Sequence, residues 1–170
     1  MPLPVTTPEA INFVSREMFA QLHSGKFVQD VLGRLQRENA HVADFIIKMV
    51  VNRPPAEHLP VTQLSSIAWR VMEKQHQMDT DGHGKLCSVT KATREKIMHD
   101  IIEMGGSSTE YRHNHWLRLA NRDAALFGMV ENASLMMHSH EIREHALNTF
   151  LIMYRLLESQ QEADEMLAES

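Results

Sequence analysis

Apolar residues recur at spacings of three and four along almost the whole chain, and no segment of useful length alternates apolar with polar. That period puts the apolar side chains of a helix on one face, whereas a half-buried strand needs a period of two. The few glycines and prolines fall mostly between the periodic segments. They act there as punctuation, since glycine and proline interrupt helices. The pattern predicts an all-α fold: a compact bundle of six to eight helices with short connections and no β-sheet.

The punctuation sets the expected elements. Thr7-Pro8-Glu9 reads as a helix start, with proline at the first helical position. Ile11, Val14, Met18 and Leu22 form its face, and Ser24-Gly25 ends it. Across 26–52, Val28, Val31, Leu35, Val42, Phe45 and Met49 follow a seven-residue stripe, interrupted at Glu38. Gly33 and Asn39 leave open whether this is one helix or two, with Asn39 as the cap of the second. Pro54-Pro55 stops the segment, and Pro60 opens the third unit, whose face is Val61, Leu64, Ile67, Ala68, Val71 and Met72. A fourth helix spans about 89–104 and ends at Gly105-Gly106. Ser107 to Glu110 forms a capping box for the fifth. Asn121 to Asp123 breaks it, a helix follows over 125–137, and Ser139 caps the last.

The 170 residues fit one helical domain, with residues 1–6 as an N-terminal arm. Residues 158–170 carry five acids and no base, which predicts a solvated, partly frayed tail. One cysteine, Cys87, excludes an internal disulfide framework and a cysteine-rich zinc site. No basic-then-apolar leader opens the chain, and its longest apolar run, 150–154, is far short of the ~18 residues of a membrane span. The expectation is a soluble cytoplasmic protein with no membrane partner. A formal charge of −5 argues against a generic grip on nucleic acid. Eleven histidines would remove much of that charge on mild acidification. Twelve methionines suit an irregular helical core or an adaptable contact surface.

The stretch QMDTDGHGKLCSVT, residues 77–90, resembles the opening of a calcium-binding EF-hand loop. Asp79 and Asp81 take ligand positions 1 and 3, Gly84 takes the turn at 6, and Leu86 the apolar site at 8. Position 5 is His83, a nitrogen donor, and position 12 is Thr90 where a bidentate glutamate is required. The competing reading is a polar connector in which glycines supply positive φ.

Other metal patterns are fragmentary. His140 and Glu141, with His145, resemble the zinc-protease motif, but the second histidine is one residue late and turns ~140° away from the first. Glu73 with His76, and Glu110 with His113, repeat the spacing of ferritin-like di-iron bundles. His99-Asp100, between His76 and Asp123, resembles the order of HD-type phosphohydrolases.

The last helix is more informative. Ile142, Ala146, Phe150, Met153, Tyr154 and Leu157 form one apolar face. Glu141, Glu144, Asn148 and Arg155 fall within about 60° of each other opposite it, flanked by Leu151 and Ile152. Residues 141–154 resemble the second half of the all-α nucleotide pyrophosphohydrolases. That resemblance implies magnesium held by Glu141 and Glu144, although Asn148 stands where a further acid is wanted. The residues alone read first as a polar seam or a partner-facing strip. On the fifth helix, Arg112, His115, Arg118 and Arg122 share about 120°. That stripe suits phosphate, nucleic acid or an acidic segment of the same or another copy.

No glycine-rich phosphate loop, nucleophile elbow or Cys–His pair is present. The expected function is therefore non-catalytic association, with itself or with a protein partner. Met136, Met137, Leu151, Ile152 and Arg155 are the candidate contacts. Calcium or magnesium binding, metal-dependent phosphohydrolysis and nucleic-acid contact stand as alternatives.

Overall fold

The structure, a computed structural model, describes residues 3–21, 24–103 and 109–170. Leu22, the Gly105-Gly106 stop and Ser107 of the expected capping box lie outside them. The described residues form eight helices and no strand: α1 Pro8–Ala20, α2 Lys26–Glu38, α3 Ala40–Val51, α4 Pro55–Asp79, α5 Lys91–Glu103, α6 Thr109–Arg122, α7 Ala124–Leu135 and α8 His140–Glu169.

Local chemistry explains most boundaries. Pro8 opens α1, where a missing N–H costs no intrahelical bond. The Asp123 side chain accepts from Leu126 N at 3.0 Å and starts α7. Ser139 Oγ accepts from Ile142 N at 3.1 Å and starts α8. Residues 26–52 form two helices, broken at Asn39 with φ −149°.

Three expectations change. Pro60 does not open α4; the helix begins at Pro55 and Pro60 lies inside it. Pro55, at the first helical position, gives up no intrahelical bond, whereas Pro60, in the second turn, gives up the one bond to the turn before it, as any interior proline does. Asn39 does not cap α3 through its side chain. That amide instead reaches the 80–90 connector, donating to Cys87 O at 2.9 Å and accepting from Val89 N at 2.9 Å. The acidic end is also not a loose tail from 158. α8 continues to Glu169, and Glu158, Ser159 and Gln160 are buried; residues become solvated only from 161.

α4 and α8 pack side by side as the centre of the bundle, and the other helices lie around them. Between Thr149 and Gln160 every residue of α8 except Arg155 is buried. A helix covered on all sides needs apolar residues all round, and 150–157 supplies them. Leu151 and Ile152 are 6% and 5% exposed, so they belong to the core, not to a partner-facing strip. Trp69 and Met72 of α4 and Phe150, Met153 and Leu157 of α8 are among the most deeply buried side chains of this core. The N-terminal arm is docked as well. Leu3 and Thr6 are buried, and Thr6 donates to Asp123 Oδ2 through N at 2.9 Å and Oγ1 at 2.7 Å.

Candidate functional site

The basic stripe of α6 and the polar stripe of α8 face each other. From α8 it is Glu144 and Glu158 that meet the α6 arginines, and the parallel packing of α6 on α8 puts these partners in register. Arg112 pairs with Glu144 near the start of the two helices, and Arg122 pairs with Glu158 farther along. Glu158 is 3% exposed and takes three guanidinium groups: Arg118 Nη2 at 2.7 Å, Arg155 Nη1 at 2.7 Å, and Arg122. A buried carboxylate needs such partners, because desolvation penalises an unpaired charge heavily. The three arginines keep part of their side chains in water, so their excess positive charge stays hydrated.

The seam shapes its neighbours. Burial, then Arg155 and Arg118, hold the His115 imidazole below its ordinary value, with Glu158 opposing. Burial pushes the Tyr154 phenol up to about 12, against the pull of Arg122, whose guanidinium stands 5.9 Å from the tyrosine ring centre. Beside the seam, a cavity of about 210 Å³ opens between α6 and α8, lined by Arg112, His113, Trp116, Glu144, Leu147 and Leu151. The geometry is that of an internal electrostatic clasp between two helices.

The two glutamates that a magnesium site would use lie one turn apart on α8. Glu141 is exposed, while Glu144 faces Arg112 and lies 3.9 Å from His140. Among the described residues, no group of three or more His, Cys, Asp or Glu is placed to hold a metal ion. His145 turns away from His140 and bonds Met49 O at 2.6 Å. Glu73 is buried between Arg34 and Arg70, while Glu110 is exposed. Asp123 is taken up by Thr6 and Leu126, far from an ordinary metal ligand's role, and His99 stands 65% exposed beside Glu103.

The calcium-like stretch is built differently from an EF-hand. Asp79 is the last residue of α4, and its carboxylate accepts from Gln75 Nε2 at 2.9 Å. Asp81, Gly82 and Gly84 carry φ of 53°, 81° and 89°, which turn the chain sharply back. Thr90, at the position of the missing glutamate, has its N–H and hydroxyl on Gln160 Oε1 at 3.0 and 3.2 Å. Cys87 Sγ donates to Leu157 O at 3.3 Å, and Leu86 and Val89 are buried. The connector is thus clamped to α2 and α8 rather than free to hinge. Its first turn forms one wall of an open cavity of about 580 Å³, which Arg34, Arg70, Glu73 and Lys85 also line.

Solvent instead meets large apolar side chains at both ends of α8. Leu135 and Met136, just before it, are 59% and 84% exposed; Met166 and Leu167, near its end, are 72% and 74% exposed. Met137 packs partly against the core. The exposed Met166–Leu167 pair went unremarked in the sequence because it sits among acids; two adjacent apolar residues past the last buried position were the available signal. No helix among the described residues is long and apolar enough to cross a membrane.

By fold, the described chain is an all-α bundle wound on two central helices. No family model matches the chain, and neither a curated protein nor a solved structure matches it.

Proposed function

We propose that this protein is a non-catalytic helical association module, acting on itself or on a protein partner, in the cytoplasm. The observation that carries the reading is the pairing of large exposed apolar side chains at the two ends of α8, Leu135–Met136 and Met166–Leu167. Single exposed apolar residues are ordinary on protein surfaces, but adjacent ones are typical of contact sites. Methionine suits such a contact because its unbranched side chain adapts to a partner's shape.

The charged groups support this reading over the alternatives. The arginines that would meet nucleic acid are committed to Glu144 and Glu158, and of the glutamates that would hold magnesium, Glu144 is paired with Arg112.

Light scattering and thermal unfolding over a wide dilution series test the proposal. Association gives a mass above the monomer at high concentration and a melting temperature that falls on dilution. A compact monomer whose melting ignores dilution overturns self-association. A rise in melting temperature with Mg²⁺ that Glu141→Ala or Glu144→Ala abolishes would transfer the reading to a metal-dependent phosphohydrolase.

A further inference from the structure

We infer that the solvated end of α8 docks into a groove between α3 and α5 of a second copy of this chain. This rests on the association reading above and names the surfaces through which association occurs.

The groove has a volume of about 290 Å³ and an apolar floor of Phe45, Met49 and Met98. Lys48 and Arg94 stand at its rim, and neither is in an ion pair among the described residues. Its one acid, Glu95, pairs with Lys91. The groove therefore offers an apolar slot with two uncommitted cations.

The end of α8 carries the complement. Beyond Gln160 no residue is buried. Met166 and Leu167 project there with Ala163 one turn back, and Glu162 and Glu169 lie one turn either side of Met166. The segment is apolar at its centre and acidic at its edges, where the groove is apolar at its floor and basic at its rim. Charges so arranged steer and orient a contact whose affinity comes from the apolar centre.

The chain's own groove is out of reach of its own tail. α5 starts beside Gln160, through Thr90, and runs back along α8. Arg94 and Met98 share the groove with Met49, whose carbonyl bonds His145 near the other end of α8. Residues 161–169 extend about 13 Å in the opposite direction. A straight helix cannot fold back over that path, but a second copy related by a two-fold axis can receive it and offer its own tail in return. Such reciprocal contacts close on themselves and give a dimer.

The test uses full-length chains and sedimentation equilibrium. M166E/L167E changes only exposed side chains and is expected to weaken the dimer about a hundredfold, the loss typical of central apolar contacts. K48E/R94E, which reverses the rim, and E162K/E169K, which reverses the tail, are each expected to weaken it about tenfold or more. Mixed one to one, these two charge-reversed chains are expected to form a heterodimer, since one tail–groove pair then joins opposite charges in inverted order. Circular dichroism with a wild-type melting profile at the monomer's concentration shows that each variant is folded. Assembly of the wild type that M166E/L167E leaves unchanged overturns the tail contact while leaving association itself standing. A wild-type monomer at all concentrations overturns both. Weakening by M166E/L167E with no heterodimer from the mixture overturns the α3–α5 groove as the receptor.

Discussion

Arg122 meets Glu158 across the α6–α8 interface, and the same guanidinium reaches Leu3 O at 3.4 Å. One arginine thus ties the N-terminal arm, the α6–α7 corner and the central helix together. Glu158 is the group on which this depends, because it is the buried member and takes Arg118 and Arg155 as well.

Glu158→Gln is expected to destabilise the fold by about 2–4 kcal/mol, since it leaves several guanidinium groups facing a neutral amide. Glu144→Gln, at a side chain 38% exposed, is expected to cost less than about 1 kcal/mol. Urea unfolding of both variants checks the contrast; equal losses would show that the seam's energy does not follow burial.

Asn39 is 1% exposed and is the sole bridge from α2 and α3 to the connector's Cys87 and Val89 backbone groups among the bonds described. Asn39→Ala leaves the part-buried Cys87 carbonyl and the buried Val89 N–H without this side-chain partner. A loss of about 2–3 kcal/mol in urea unfolding is expected. A change below a few tenths of that would mean water replaces the amide at little cost.

Gly84 has φ +89°, and a Cβ there would stand 3.2 Å from His76 Nε2. Gly84→Ala is expected to destabilise by about 1–2 kcal/mol. In α7, a Cβ on Gly128 meets nothing within 4 Å, so Gly128→Ala is expected to stabilise by about 0.5–1 kcal/mol. Melting temperatures that move in the same direction for both would contradict the backbone argument.

His115 supplies a pH dependence of known sign. Its imidazole lies below its ordinary value in the fold, from burial and then Arg155 and Arg118. As pH falls below about 6.5, the unfolded chain takes up this proton before the folded chain does. The stability that His115 contributes is present above that pH and is lost as pH falls toward its lower folded value. His115→Gln is expected to flatten the decline in melting temperature on acidification. Parallel curves for variant and wild type would remove His115 as a contributor.

Burial, with Asp164 nearby, pushes the Cys87 thiol up to about 12, so little thiolate forms near neutrality. Alkylation of the native chain is expected to run about 10³-fold slower than in urea, in proportion to the thiolate fraction. Comparable rates would show that the connector opens readily from α8.

Much of the fold was legible in the sequence because helix starts and apolar faces are local. Pro8 and Ser139 mark their helices whatever packs nearby, and the stripe Val61 to Met72 faces the core as its spacing requires. Pro60 misled because a proline marks an early helical position without saying which one. The site was much less legible. Arg112–Arg122 read as a stripe for phosphate, nucleic acid or an acidic segment of the same or another copy, and Glu141–Arg155 as a polar seam or partner-facing strip. Nothing in the sequence matched one to the other, since a charged helix face looks the same whether it meets water or another helix.

Period, punctuation and charge by themselves determined an all-helical bundle, its main breaks, the basic stripe of α6 and the polar stripe of α8. Only the tertiary structure decided that those stripes meet, that Leu151 and Ile152 are core, and that the calcium-like stretch is a clamped connector. The reason is distance along the chain: Arg122 and Glu158 are 36 residues apart, and Thr90 and Gln160 are 70 apart. Local propensity acts within a few turns, whereas the partner of a buried charge or amide is set by how whole helices stack.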